Sequence, residues 1–194
     1  MDHPPTQRLA LNNQAIEAAK RSLDDGAVTP SYGPWRDDIV GLLIDALATE
    51  LVCVLRYKRH YHTAHGLASP KVADEFLEHA NAEAEHADRI AERIVQLGGE
   101  PDFSPNGLAS RSHAEYVAGV TLTDMIREDL VAERIAIDSY RGFIQYLGDK
   151  DPTTRRLLES ILAVEEQHAD ELADLLQEVG MPSGLAAKTR AALA

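Results

Sequence analysis

The chain has 194 residues, 44% hydrophobic and 26% charged but only 5% aromatic, with a formal net charge of −13 and a pI near 4.9. That length suits one domain with a substantial core, and no run of about 18 or more apolar residues is present to span a membrane. The acidic balance repels nucleic acid and anionic membranes and gathers cations, and the one cysteine, Cys53, rules out an internal disulfide or a thiolate cluster.

Met1 to Thr6 lacks the apolar stretch of a signal peptide, which points to a cytoplasmic protein. Residues 1–34 read as an N-terminal extension, in which 6–25 are expected to form a short amphipathic helix through Leu9, Ile16 and Leu23. The run from Gly26 to Pro34 breaks it. A long helix is predicted from about Trp35 to His65, and a second from Ser69-Pro70 to about Leu97, closed by Gly98-Gly99. Residues 100–120 hold Pro101, Pro105, Gly107 and Gly119, too long a break for a simple turn between neighbouring helices. A third helix follows from about Thr121 to Leu147, with Thr121 or Thr123 as its cap; Gly148-Asp149-Lys150-Asp151-Pro152 turns the chain, and a fourth helix runs to Val179-Gly180. The expected fold is all-α: one four-helix bundle over residues 35–180, with a single long crossover between its second and third helices and a weakly helical tail at 181–194.

The chemistry lies in a repeat across the two hairpins. Glu50 is followed seven residues on by Tyr57 and then by Glu83-Ala84-Glu85-His86, while Glu133 is followed by Tyr140 and then by Glu165-Glu166-Gln167-His168. The lone Glu precedes the Glu of Glu-x-x-His by 33 residues in one copy and 32 in the other. Residues three apart share a helix face, so Glu83 and His86 reach one region together, as do Glu165 and His168. Their stripes are apolar: Phe76, Ile90, Ile94 and Leu97 in one copy, Leu158, Ile161, Leu172 and Leu175 in the other. One Glu-x-x-His is an ordinary solvated helix pattern, and Glu85 and Glu166 are expected to face water. Two copies with matching upstream Glu and Tyr are not ordinary. Four buried carboxylates need cancelling charge, and two divalent cations with two neutral imidazoles supply it. A Glu from each of two helices with Glu-x-x-His from the other two is the ligand pattern of di-iron and di-manganese bundles.

The match extends further. Glu85-His86-Ala87-Asp88-Arg89-Ile90-Ala91-Glu92-Arg93-Ile94, then Gly98-Gly99-Glu100-Pro101, and Asp124-Met125-Ile126-Arg127-Glu128-Asp129-Leu130 resemble bacterioferritins of the ferritin-like superfamily, over about residues 36–180. The resemblance implies two irons per subunit, with Glu50 and His86 terminal on one, Glu133 and His168 terminal on the other, and Glu83 and Glu165 bridging. Tyr57 matches the tyrosine that borders the centre. The implied activity is ferroxidase chemistry, in which Fe2+ is oxidised by O2 or H2O2 and stored or detoxified, in a homo-oligomer that is either a cage or a dimer, with no nucleic acid or membrane partner. Manganese or zinc suits the same ligands. Bacterioferritins bind haem through a methionine just after the bridging Glu of the second helix; that position is Ala84, so haem is not expected.

Other functions remain open. A di-iron hydroxylase or a rubrerythrin-like peroxidase uses the same six ligands, although one cysteine leaves no rubredoxin module. A DNA-shielding mini-ferritin builds its metal site between subunits. Among the remaining residues, Asp129 is a candidate partner for a ligating histidine or a solvent-facing acid, and Tyr140 a packed tyrosine or a hydrogen-bonding or one-electron donor. Cys53 is a buried structural thiol one turn from Glu50 or a neighbour of the site, and His79 a surface histidine or the lining of an entry path. The run Arg56, Lys58, Arg59, His60 and His62 reads as a solvated face or an interface with an acidic neighbour.

Overall fold

The computed structural model describes residues 11–21, 23–66 and 69–180. Its helices are α1 (Asn13–Ala19), α2 (Arg36–Thr63), α3 (Ser69–Gln96), α4 (Leu108–Arg111), α5 (Leu122–Leu147) and α6 (Pro152–Gly180). The four long helices have 28, 28, 26 and 29 residues. At about 1.5 Å per residue each is roughly 40 Å long.

Local chemistry sets the boundaries. A left-handed Gly98, φ +76°, ends α3, and Gly99 lets α3 approach α2 where any Cβ would lie 2.7 Å from Val40. Thr121 and Asp124 form a reciprocal capping box that starts α5. Asp151 accepts from the backbone of Thr153 and Thr154 at 3.1 and 2.9 Å, capping α6, whose first residue is Pro152.

Cross-helix contacts fix the topology. Asp38, Glu50 and Tyr57 of α2 meet Tyr146, Tyr140 and Glu133 of α5, so these helices run antiparallel. Lys71, His79 and Arg89 of α3 meet Glu178, Glu171 and Ser160 of α6, again antiparallel. With α2–α3 and α5–α6 each a hairpin, α3 and α5 are parallel, and the chain must travel the length of the bundle between them. Residues 97–121 do so, seated along α2: His113 N donates to Thr49 Oγ1 at 3.0 Å, Arg56 Nη1 to Glu115 O at 3.0 Å, and His60 Nε2 pairs with Ala118 O at 2.9 Å.

The apolar core falls into two clusters. One gathers Ile39, Leu43, Leu47, Ile90, Ile94, Leu147, Leu158 and Ile161. The other gathers Cys53, Tyr57, Val72, Phe76, Ile126, Leu172 and Leu175. On every long helix the candidate ligands lie between the residues given to one cluster and those given to the other, so the polar layer crosses the bundle at its middle.

The amphipathic helix expected over residues 6–25 is shorter. α1 has seven residues, capped by Asn12 Oδ1, and none of them is buried. Leu11 and Leu23 stay 65% and 80% exposed; with no surface among the described residues to cover them, the apolar spacing gains little stabilisation there. Leu9, like the tail 181–194, lies outside the described residues. Further along, Val28, Tyr32 and Trp35 pack on the core, and Tyr32 Oη donates to Asp151 at 2.6 Å, fastening the extension to the bundle end.

Candidate metal centre

All six residues of the repeat are buried, none more than 4% exposed. Each of the four long helices contributes, and the side chains meet in two overlapping groups, Glu50–Glu83–His86–Glu165 and Glu83–Glu133–Glu165–His168, with ligand atoms within 4.8 Å of one another in each. Glu83 and Glu165 belong to both. The oxygens of Glu165 divide: Oε1 lies 3.0 Å from His86 Nδ1 and Oε2 lies 3.7 Å from His168 Nδ1. Glu83 divides likewise, with Oε2 3.5 Å from His86 and Oε1 3.2 Å from His168. The imidazole centroids are 6.5 Å apart.

These atoms are close but not hydrogen-bonded. Glu50 Oε2, Glu83 Oε1, both Glu165 oxygens and the Nδ1 atoms of His86 and His168 are buried without an aligned partner. Buried polar atoms in native proteins are nearly always satisfied. Six orphaned ligand atoms aimed into one layer fit bound metal ions.

The two tyrosines cross over between copies. Tyr57 donates to Glu133 Oε1 and Tyr140 donates to Glu50 Oε1. Each bond fixes one carboxylate oxygen and leaves Oε2 facing a histidine, Glu50 toward His86 at 3.5 Å and Glu133 toward His168 at 4.0 Å. Tyr140 is thus both packed and hydrogen-bonded.

Electrostatics of the metal-free chain show how much charge is gathered. Burial, reinforced by the Glu83 charge, pushes Glu50 up to about 8. Burial and the charges of Glu83 and Glu165 push Glu133 well above the usual carboxylate range. Burial also opposes ionisation of Glu83 and Glu165, yet the imidazoles and neighbouring carboxyls hold both below the ordinary glutamate value. Burial disfavours charge on the histidines, but the surrounding carboxylates override it, raising His86 to about 12 and His168 to about 9. Near neutrality Glu50 is therefore protonated and both imidazoles are charged, while Glu83 and Glu165 are held toward the ionised form.

Several neighbours differ from the sequence reading. Asp129 partners neither ligand histidine. It is fully buried and accepts from Arg56 Nε at 2.7 Å, with His60 Nδ1 at 2.8 Å. Arg56 and His60 are consequently not on a solvated face; they are 1% and 0% exposed and tie the crossover to α2 and α5. Spacing within α2 carries no mark of a partner that lies on another helix. His79 is buried too, stacked on His168 at 3.9 Å, with Nδ1 3.2 Å from Tyr57 Oη and Nε2 3.1 Å from Glu171. Its position four residues before Glu83, on the same face, was the available signal. Cys53 is buried, and Glu85 and Glu166 are exposed.

A four-helix bundle with a buried layer of carboxylates and imidazoles defines the class, a helical protein with side chains disposed to hold metal ions. The chain belongs to the ferritin-like family: the family's domain model matches residues 40–181. It is 28% identical to a bacterioferritin of Mycobacterium leprae over 144 residues, 74% of this chain and 86% of that protein. A nutrient stress-induced DNA-binding protein of Synechococcus is 32% identical over 136 residues, 68% of this chain and 76% of that one. Among solved structures, a dodecameric thioferritin, the bacterioferritin-related protein of Bacteroides fragilis, aligns with a TM-score of 0.71 at 26% identity, covering 87% of this chain and 95% of its own. No helix among the described residues is long and apolar enough to cross a membrane.

Proposed function

We propose that the protein is a ferroxidase that takes up two Fe2+ per chain and oxidises them for storage or detoxification. Glu50 and His86 hold one ion, Glu133 and His168 the other, and Glu83 and Glu165 bridge them. The observation that carries this reading is the division of the Glu83 and Glu165 oxygens between His86 and His168. A pair of ions held so closely delivers two electrons together: two Fe2+ become two Fe3+ while O2 and two protons give H2O2, or H2O2 and two protons give two waters. The protein's part is to bring both ions into a dry layer whose charge they cancel. Tyr57 and Tyr140 hold the terminal carboxylates in place, Tyr57 through its bond to Glu133 and Tyr140 through its bond to Glu50, and Tyr57 is the tyrosine assigned to the border of the reacting ions.

Glu50→Ala or Glu133→Ala is expected to slow Fe2+ oxidation, followed by stopped-flow absorbance at two Fe2+ per chain, by at least about tenfold. Unchanged rates in both variants would refute the assignment. A homo-oligomer is also proposed, with the Bacteroides fragilis dodecamer as one size guide. Light scattering with iron counting tests both points: a hollow assembly holding many irons per chain means storage, and a dimer holding two means a catalyst without a store. The name of the Synechococcus relative favours a second reading, a stress-induced protein that binds DNA. The site's closure within one chain and the net charge of −13 favour the first.

A further inference from the structure

The N-terminal extension divides into an anchor and an arm. Val28, Tyr32 and Trp35 pack on the core, and Tyr32 Oη reaches the buried Asp151 carboxylate, which Arg93 also holds at 2.9 Å. The anchor is thus built into the bundle end. The arm before it is not. None of the seven residues of α1 is buried, and Leu11, Ile16 and Leu23 are 65%, 41% and 80% exposed. Its side-chain partners are its own: Asn12 Oδ1 accepts from the backbone of Gln14 and Ala15, and Lys20 pairs with Glu17 at 2.5 Å.

The connector holds the arm off its own bundle. Gly26 N donates to Leu23 O at 3.4 Å, Val28 N to Asp25 O at 3.0 Å and Tyr32 N to Thr29 O at 2.9 Å, consecutive turns rather than a slack tether. A helix this short owes its stability to a surface that its apolar side covers. Within one chain the three apolar side chains meet none.

The same end of the bundle offers such a surface. The last turns of α3 and the start of the crossover form an open groove lined by Ala91, Val95, Pro101 and Phe103, together with Asp88 and Glu92. Val95 and Phe103 are 59% and 49% exposed. The internal repeat does not impose the valine, because the matching place on α6 is Gln177. Charge fits as well. Among the described residues Asp88 and Glu92 carry no ion pair, and neither does Arg21, just past the end of α1. Exposed pairs of this kind add little strength but set register and partner choice.

We propose that α1 of one copy docks in the α3–crossover groove of a second copy, with Ile16 and Leu23 against Val95 and Phe103, and Arg21 toward Asp88 and Glu92. Each copy then gives an arm and receives one. The inference rests on the homo-oligomer reading and not on the metal centre. The arm lies outside residues 40–181, which the family's domain model matches, so the contact belongs to this chain's own extension.

Disulfide trapping tests it. Ile16→Cys and Val95→Cys full-length chains, one of them carrying a size tag, are co-expressed with the buried Cys53 left in place, oxidised in air and run on a non-reducing gel. A band at the summed mass of the two chains is expected, absent when either variant is expressed alone. V95E changes an exposed position and leaves the core untouched; it should raise the concentration at which the assembly half-dissociates, read by light scattering, by at least about tenfold. In the I16C/V95C double variant, a faster monomer band with no summed-mass band would overturn the inference, because the arm would then close on its own chain. An oligomer that shows neither the cross-link nor an effect of V95E would overturn it too, leaving the homo-oligomer standing and the groove to another partner. A wild-type monomer at every concentration would overturn both readings.

Discussion

Loading the central cluster with metal is an exchange of protons for cations. In the metal-free chain Glu50, raised to about 8, is protonated at pH 7, His86 and His168, raised to about 12 and about 9, are charged, and burial holds the Glu133 carboxyl above its usual range. Ligation requires the protons of Glu50, His86 and His168 to leave, at least three for the pair. Mass action gives the magnitude: about a tenfold change per proton per pH unit, so the overall constant for the pair should strengthen by at least about three orders of magnitude per unit between roughly pH 7 and 8. The slope should then ease by about one as Glu50 sheds its proton unaided and by about one more beyond His168. Zn2+ avoids oxidation and serves as the probe. Calorimetry at pH 7 in two buffers of different ionisation enthalpy should show at least about three protons released over the first two ions. Release of one proton or fewer per ion, or an affinity flat between pH 6 and 8, would refute the reasoning.

The same shifts set the stability of the metal-free chain. Folded-state values raised above unfolded ones stabilise at low pH, and this is lost as pH rises, from the ordinary glutamate range to about 8 for Glu50 and from the ordinary histidine range to about 9 for His168. The contribution of these groups to the melting temperature should therefore decline from pH 5 to 9, and saturating Zn2+ should reverse the trend, as scanning calorimetry on the wild type and on Glu50→Gln would show. Tyr57→Phe and Tyr140→Phe each free one oxygen of a terminal carboxylate and should weaken Zn2+ binding by about 10- to 100-fold while leaving the count of central ions at two. Asp129→Ala strands Arg56 and His60 in the interior and should cost about 3–5 kcal/mol, read from urea unfolding; a loss under 1 kcal/mol would mean that water reaches the pair.

Much of this was legible because it is written in local spacing. Gly98-Gly99, Thr121 and Pro152 mark helix ends within a residue or two, and a pair of Glu-x-x-His steps on apolar faces places ligands without knowledge of the packing. Direction was legible less directly: the long break at 100–120 announces a crossover, and only the α2–α5 contacts show why it must run along the bundle. What escaped lies between helices. Arg56 and His60 sit in a basic run that looks solvated, and nothing in α2 reveals that Asp129 of α5 lies opposite them. His79, flanked by Glu75, Glu78 and Asn81, looks like surface, although its place one turn before Glu83 turns it inward. In α1 the apolar period is real, but no neighbour exists among the described residues to bury Leu11 or Leu23.

Electron paramagnetic resonance of the protein loaded with Mn2+ under argon tests the shared bridges most directly. Two ions joined by Glu83 and Glu165 should give the broadened, multiline spectrum of an exchange-coupled pair at two Mn2+ per chain. Only the six-line pattern of isolated Mn2+ at that loading would contradict a dinuclear centre.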